Sequence, residues 1–177
     1  GEKEKLVLDL SGRWKFSLGD DMSWKDQKFN DTNWEKVKVP SSWENQGFPG
    51  YDGYAWYRTS FTLKSEMENK DVYLILGYVD DVDQTYINGN LIGVSGGFPN
   101  NYRTAYNAFR KYYIPKEYLN KDGANIIAVR IYDAESKGHE IHNGLCSFAE
   151  DETILFIHAE YDAHGKSRYQ LVIDLPV

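Results

Sequence analysis

Turn-forming residues break this chain into short pieces before any helix has room to start. Runs of strand composition recur between Gly, Pro, Asn and Asp: "RWKFSL" (13–18), "KVKVP" (36–40), "YRTSFTL" (57–63), "VYLILGYV" (72–79), "QTYI" (84–87), "LIGVS" (91–95), "RKYYI" (110–114), "NIIAVRIYD" (125–133), "TILFIHAEY" (153–161) and "YQLVIDLPV" (169–177). No window of useful length carries apolar residues at helical spacing; the best candidate, "PKEYL" (115–119), is one turn. The pattern predicts an all-β sandwich or barrel. At 177 residues one domain over 1–177 suffices, since folding at this length buries about 70% of the surface an unfolded chain exposes.

Asn88-Gly89, between "TYI" and "NLIGV", supplies the two positive-φ residues that a type I′ hairpin turn requires. Alternation in "KVKV" sends Val37 and Val39 to a core and Lys36 and Lys38 to water. "YLIL" and "NIIAV" are apolar throughout, as central strands covered on both faces are.

The formal charge of −7, from 27 acidic against 20 basic residues, contains no basic block, so the electrostatic footprint of a nucleic-acid binder is missing. No apolar run is long enough to span a bilayer, so membrane insertion is not expected. A single cysteine, Cys146, rules out an internal disulfide and a Cys-rich zinc module. The 14 tyrosines exceed what a core of this size needs, because each carries a hydroxyl that must find a partner. Some of them serve a surface.

Three long connections gather polar and aromatic residues. "SSWENQGFPGYDGYAW" (41–56) carries Trp43, Phe48, Tyr51, Asp52, Tyr54 and Trp56; "GGFPNNYRTAYNAF" (96–109) carries Phe98, Asn100, Asn101, Tyr102, Arg103 and Tyr106; "DAESKGHEIHNGLCS" (133–147) carries His139, Glu140, His142 and Asn143. Long aromatic-rich loops in a compact domain are usually functional rather than disordered.

A fourth cluster, Asp80, Asp81 and Asp83 in "GYVDDVDQTYING" (77–89), invites several chemistries. A helix-loop-helix calcium site counted from Asp81 needs Gly at position 6 and Glu at position 12, where Tyr86 and Ile92 stand. A structural calcium held between distant loops stays open, with Asp20, Asp21 or Asp133 as equally suitable ligands. Glycoside hydrolysis needs two acids about 5 to 9 Å apart across a sugar pocket, but neighbours on an extended strand face opposite ways. Asp83 is most simply a solvated strand residue, and Asp81 is either solvated or part of a site. "HEIH" lacks one residue of the H-E-x-x-H spacing and is flanked by glycine. No nucleophile elbow or phosphate loop occurs, and Cys146 has no patterned His partner. No cofactor is expected otherwise.

"LSGRWKFSL", then "FNDTNWEKVKVPSSWENQGF…YDGYAWYRTSF", then "LGYVDDVDQTYINGNLIG", then "NIIAVRIYD" resemble, in order and spacing, the N-terminal sugar-binding domain of family 2 glycoside hydrolases. The match covers roughly residues 10 to 133. The resemblance implies a jelly-roll β-sandwich of the galactose-binding type, non-catalytic because the family's catalytic glutamates lie in a separate barrel. It also implies a sugar-facing position six residues before the aromatic of the aromatic-x-Asn-Gly hairpin, which here is Asp80, where those relatives carry Asn. A second sugar-facing segment follows the "AVRIYD" strand, here "AESKGHEIHNG" with His139, Glu140 and His142.

Sugars are held by aromatic rings stacked on pyranose C–H faces beside planar polar groups that pair with hydroxyls. The expected site is therefore Asp80, Asp81, Tyr51, Asp52, Tyr54, Asn101, Tyr102, Arg103, His139, Glu140 and His142, with Trp43, Trp56 and Arg58 assigned to packing or a buried charge pair. The leading expectation is a carbohydrate-binding module of a secreted or periplasmic glycan-degrading system, with a carbohydrate ligand and a catalytic glycosidase domain as partners. The alternative is an interdomain scaffold that binds no free sugar and exposes a large apolar patch. A self-contained hydrolase is the third and weakest reading.

Overall fold

A computed structural model describes residues 6–40, 47, 52–134, 144–145 and 156–158. Its strands are β1 (Leu6–Asp9), β2 (Gly12–Leu18), β3 (Glu35–Val39), β4 (Gly53–Thr62), β5 (Val72–Gly77), β6 (Val79–Asp80), β7 (Val82–Ile87), β8 (Asn90–Ser95), β9 (Arg110–Ile114), β10 (Ala124–Asp133), β11 (Gly144–Leu145) and β12 (Phe156–His158). They form a six-stranded sheet in the order β3-β2-β4-β10-β7-β8, a four-stranded sheet in the order β1-β12-β5-β9, and the pair β11-β6. Every pairing is antiparallel. The fold is the expected all-β jelly-roll sandwich.

The two larger sheets share one core. Trp14, Phe16, Val37, Val39, Tyr57 and Val129 from the first sheet meet Val72, Leu74, Leu76 and Ile114 from the second. Alternation explains the sorting: in β3, Val37 and Val39 are buried while Lys36 and Lys38 are exposed. In β5 every residue except Tyr73 is buried, and β10 is buried from Ile127 to Val129, as their apolar runs predict. The β7–β8 turn has φ of 50° at Asn88 and 84° at Gly89, the two left-handed residues expected of a type I′ hairpin. "PKEYL" forms only a 3₁₀ turn, Lys116–Tyr118.

The outer face of the six-stranded sheet carries a second, smaller cluster. Trp56, Tyr86 and Ala128 point away from the main core, and Trp24 and Trp34 of the β2–β3 connection fold over them. Arg58 fastens that connection: its Nε donates to Asp31 at 2.8 Å and its Nη1 to the Trp24 and Asp26 carbonyls at 2.5 and 3.1 Å. Trp56 and Arg58 are thus a packing residue and a buried charge pair, as the sequence implies. Trp43 lies outside the described residues.

Two expectations need correction. Asp83 is not solvated: it is fully buried and paired with Arg110, because its strand parity points it inward between the sheets. The first long connection is shorter than it reads, because β4 begins at Gly53 and already contains Tyr54 and Trp56. Of the two C-terminal runs, only Phe156–His158 of the first is described, and "YQLVIDLPV" lies outside the described residues.

Candidate functional site

Strand register gathers the scattered candidates at one end of the sandwich. Tyr54 lies opposite Tyr132, Tyr132 opposite Val82, and Gly53 opposite Asp133. Asp52 therefore precedes β4, and Asp80 and Asp81 precede β7, at that same end. Gly144 pairs with Asp80, which brings the far end of the third connection to β6. Tyr51, His139, Glu140 and His142 fall outside the described residues.

Asp81 is 6% exposed. Its carboxylate accepts from the Tyr102 hydroxyl, the Thr104 hydroxyl and, at 3.2 Å, the Ala105 N–H. A buried carboxylate with this many donors is satisfied in place, so its effect on a ligand passes through Tyr102, which is 42% exposed. Gly97 and Arg103 exchange backbone hydrogen bonds of 2.8 and 3.0 Å across the base of that loop. A Cβ on Gly97 would stand 2.4 Å from the Asn101 carbonyl, so the closure requires glycine. Asn101 is exposed within the loop, and the side chain of Arg103 is exposed at its base.

The loop is clamped from inside. Arg110 donates through Nη1 to the Ala105 and Ala108 carbonyls at 2.5 and 2.6 Å, through Nη2 to the Asp81 carbonyl at 3.1 Å, and through Nε to Asp83 at 2.8 Å. Asp83 also accepts from Thr85 Oγ1 and the Tyr112 hydroxyl. Burial pushes the Asp83 carboxyl above its ordinary value, against the opposing pull of the Arg110 guanidinium. The Tyr112 hydroxyl is raised as well, by burial first and by the neighbouring Asp83 charge second.

Beside this end runs an aromatic and cationic surface that joins the expected Tyr54 and Tyr102 and the loop residue Phe98 to Arg130 and Tyr132, two residues not singled out from the sequence. Tyr54 stacks on Phe98 with centroids 6.1 Å apart and meets Tyr132 at 4.9 Å; Tyr132 meets Tyr102 at 5.8 Å. The Arg130 guanidinium lies over the Tyr54 and Phe98 rings at 4.9 and 4.5 Å. It is held by Asp20 through two bonds of 2.8 and 2.6 Å and by Gln84 at 3.0 Å. Trp56 Nε1–H donates to the same Asp20 at 2.9 Å. Partial burial alone would raise the Asp20 carboxyl, but the Arg130 and Trp56 hydrogen bonds outweigh it and hold it below its ordinary value. The signal for Arg130 and Tyr132 was present: in "NIIAVRIYD" they alternate with Val129 and Ile131, which marks the outer face.

Chemically, the end offers rings, amides and fixed charges rather than a reacting pair. Asp83 is sealed, Asp81 is saturated, and Asp20 is engaged by Arg130. Asp21 accepts from the Ser23 N–H and hydroxyl as the cap of the Met22–Lys25 turn. Among the described residues, no three His, Cys, Asp or Glu side chains converge to hold a metal ion.

Likeness to known proteins, not the register alone, makes this all-β sandwich an accessory domain of family 2 glycoside hydrolases. More particularly, residues 19–137 match the family described as the beta-galactosidase second all-beta domain, and the chain belongs to that family. It is 28% identical over 142 residues to a putative beta-glucuronidase of Formosa agariphila, covering 73% of this chain and 13% of that protein. It is 25% identical over 150 residues to beta-galactosidase BoGH2A of Bacteroides ovatus, covering 77% of this chain and 16% of that protein. Its fold superposes on Bacteroides uniformis beta-glucuronidase with a TM-score of 0.67 at 23% identity, covering 90% of this chain and 18% of that one. A beta-glucuronidase from glycoside hydrolase family 2 gives 0.70 at 18% identity, covering 89% and 17%. The chain thus spans less than a fifth of the length of these four relatives, and no catalytic barrel is among the described residues.

Proposed function

We propose that this chain is a non-catalytic carbohydrate-binding domain that works beside a glycosidase catalytic domain in a secreted or periplasmic glycan-degrading system. The observation that carries the reading is the Asp81–Tyr102 contact: a buried carboxylate fixes an exposed ring beside Tyr132 and Tyr54, at the end where Asp80 and Asp52 also lie. A pre-positioned ring costs little entropy when it stacks on a pyranose face, and weak sugar sites depend on that saving. Asp52, exposed at that end, supplies an acceptor for a sugar hydroxyl. The reading requires no cofactor.

Amide-detected NMR titration of the purified chain tests this. Galactosides or glucuronides at millimolar concentration are expected to shift resonances of residues 52–54, 80–82 and 101–104, and Tyr102→Ala to abolish the shifts. Binding of no neutral or acidic sugar at that concentration sinks the reading. It would leave the scaffold alternative, which one observation favours: Leu91 and Val94 on β8 are 48% and 46% exposed on the same outer face. In that case they dock on a neighbouring domain, and their replacement by Ser lowers the stability of the parent enzyme but not of this chain.

A further inference from the structure

Away from the loop end, the outer face of β2, β3 and β4 holds a groove of about 220 Å³. Arg13, Lys15, Lys36 and Arg58 line it, together with Asp31 and Ser60. Two of these charges are already neutralised, because Arg58 and Asp31 pair at 2.8 Å. Arg13, Lys15 and Lys36 have no ion pair or hydrogen-bonded side-chain partner among the described residues.

The register makes this costly. Lys15 lies directly opposite Lys36. Like charges in directly opposed cross-strand positions are destabilising, and this pair stays unneutralised in a chain whose formal charge is −7. Lysines on an edge strand commonly discourage pairing with another chain. That accounts for Lys36 on β3, which ends the sheet, but not for Lys15 on β2, which is paired on both sides, with Lys36 and with Arg58.

We infer that this groove is a second ligand site, and that it takes an anionic sugar unit carrying a carboxylate or a sulfate ester. Charge complementarity selects the anion, and the volume selects the size: it falls below the range of drug-sized pockets and suits a single ring. Lys15 and Lys36 close on the acidic group from two strands, Arg13 adds a planar fork able to hold both of its oxygens, and Ser60 offers a hydroxyl to the ring. The sugar class rests on the carbohydrate reading above; the anion preference does not. An acidic unit here and a ring at Tyr102 would let one acidic glycan be gripped at two points on the same domain, or two chains be held apart.

The test uses the whole chain, with a short oligogalacturonide, the same oligosaccharide with its carboxyl groups reduced, and galactose 6-sulfate. The oligogalacturonide is expected to shift the amides of residues 13–15, 36 and 58–60, and the reduced form to leave them unmoved. Lys15→Gln/Lys36→Gln should weaken that binding about tenfold or more, and raising salt from about 0.05 to about 0.5 M should weaken it further. Both replaced side chains are at least partly exposed, and an unchanged melting temperature checks the fold. A response to galactose 6-sulfate at the same amides supports the sulfate source; a response to the uronide alone supports the carboxylate source. Unchanged uronide affinity in the double variant, equal binding of the reduced form, or occupation of the groove by polyglutamate but by neither acidic sugar overturns the inference. If Tyr102→Ala removes all sugar binding while the double variant removes none, this inference fails and the proposed function stands. If the groove binds acidic sugars while residues 101–104 never respond, the proposed site fails and this inference stands.

Discussion

Asp83 on β7 and Arg110 on β9 meet at 2.8 Å with neither side chain exposed, so an ion pair crosses the interior and joins the two sheets of the sandwich. The same guanidinium holds the Ala105, Ala108 and Asp81 carbonyls, so one buried cation links the core to the loop that presents Tyr102. Such a pair is not by itself a large gain over apolar residues, but breaking it strands a charge in a medium that cannot solvate it. Arg110→Met is expected to destabilise the chain by about 3–5 kcal/mol in urea denaturation. Asp83→Leu/Arg110→Met should cost less than the sum of its single changes. Additive losses would mean that the two groups do not depend on one another.

Gly93 is fixed by a neighbour rather than by its own backbone. A Cβ there would stand 2.2 Å from the Tyr112 ring, whose hydroxyl is committed to Ser95 and Asp83. The ring cannot swing away without giving up those bonds. Gly93→Ala should therefore cost about 1–3 kcal/mol, the range of an overpacked core. The loss should shrink in a Tyr112→Leu background, where the ring is absent, and thermal unfolding of the four proteins reads the difference.

Arg58 serves as a fork, reaching Asp31 and the Trp24 and Asp26 carbonyls from one planar group. Lysine keeps the charge but cannot place donors on all of them. Arg58→Lys is expected to lose about 2–3 kcal/mol and to loosen the segment that carries Trp24 and Trp34, which tryptophan fluorescence would register as a red shift. An unshifted spectrum would assign the segment's position to ring packing alone.

The Asp20–Arg130 pair predicts a pH dependence. Asp20 is held below its ordinary value of 3.8 in the folded chain, so its contribution to stability is complete above that value. It is lost as pH falls through the lower folded value. Asp20→Asn should lower stability at neutral pH and flatten the acid limb of stability against pH. Parallel curves for the two proteins would show that the pair does not contribute.

Legibility followed physics. Alternation and turn chemistry are local, so β3, β5, β9, β10 and the Asn88-Gly89 hairpin could be read directly. The two-residue strands β6 and β11 carry no period to read, and their pairing depends on contacts more than sixty positions apart. Asp83 was misread for a related reason: a carboxylate beside two others looks solvated unless its partner, Arg110, can be seen across the sandwich. The candidate site was legible as a set of loops but not as an arrangement. Nothing in "VDD" says that Asp81 turns inward to hold Tyr102, or that Arg130 lies across Tyr54 and Phe98.

That inward turn gives the most direct test of the site. If Asp81 acts by positioning Tyr102 rather than by touching sugar, Asp81→Ala should remove the anchor while leaving the ring itself in place. Losing a buried charge-assisted network costs about 1–3 kcal/mol of stability, and sugar affinity should fall about tenfold as the ring becomes free to rotate. Tyr102→Phe keeps the stacking surface but gives up its bond to Asp81, and should show an intermediate affinity. A carboxylate that bound sugar directly would give another order: Tyr102→Phe would bind like the parent, and Asp81→Ala would not bind at all. Calorimetric titration of the three proteins with one β-galactoside separates the two roles, and the aromatic NMR signals of Tyr102 report whether the ring has been released.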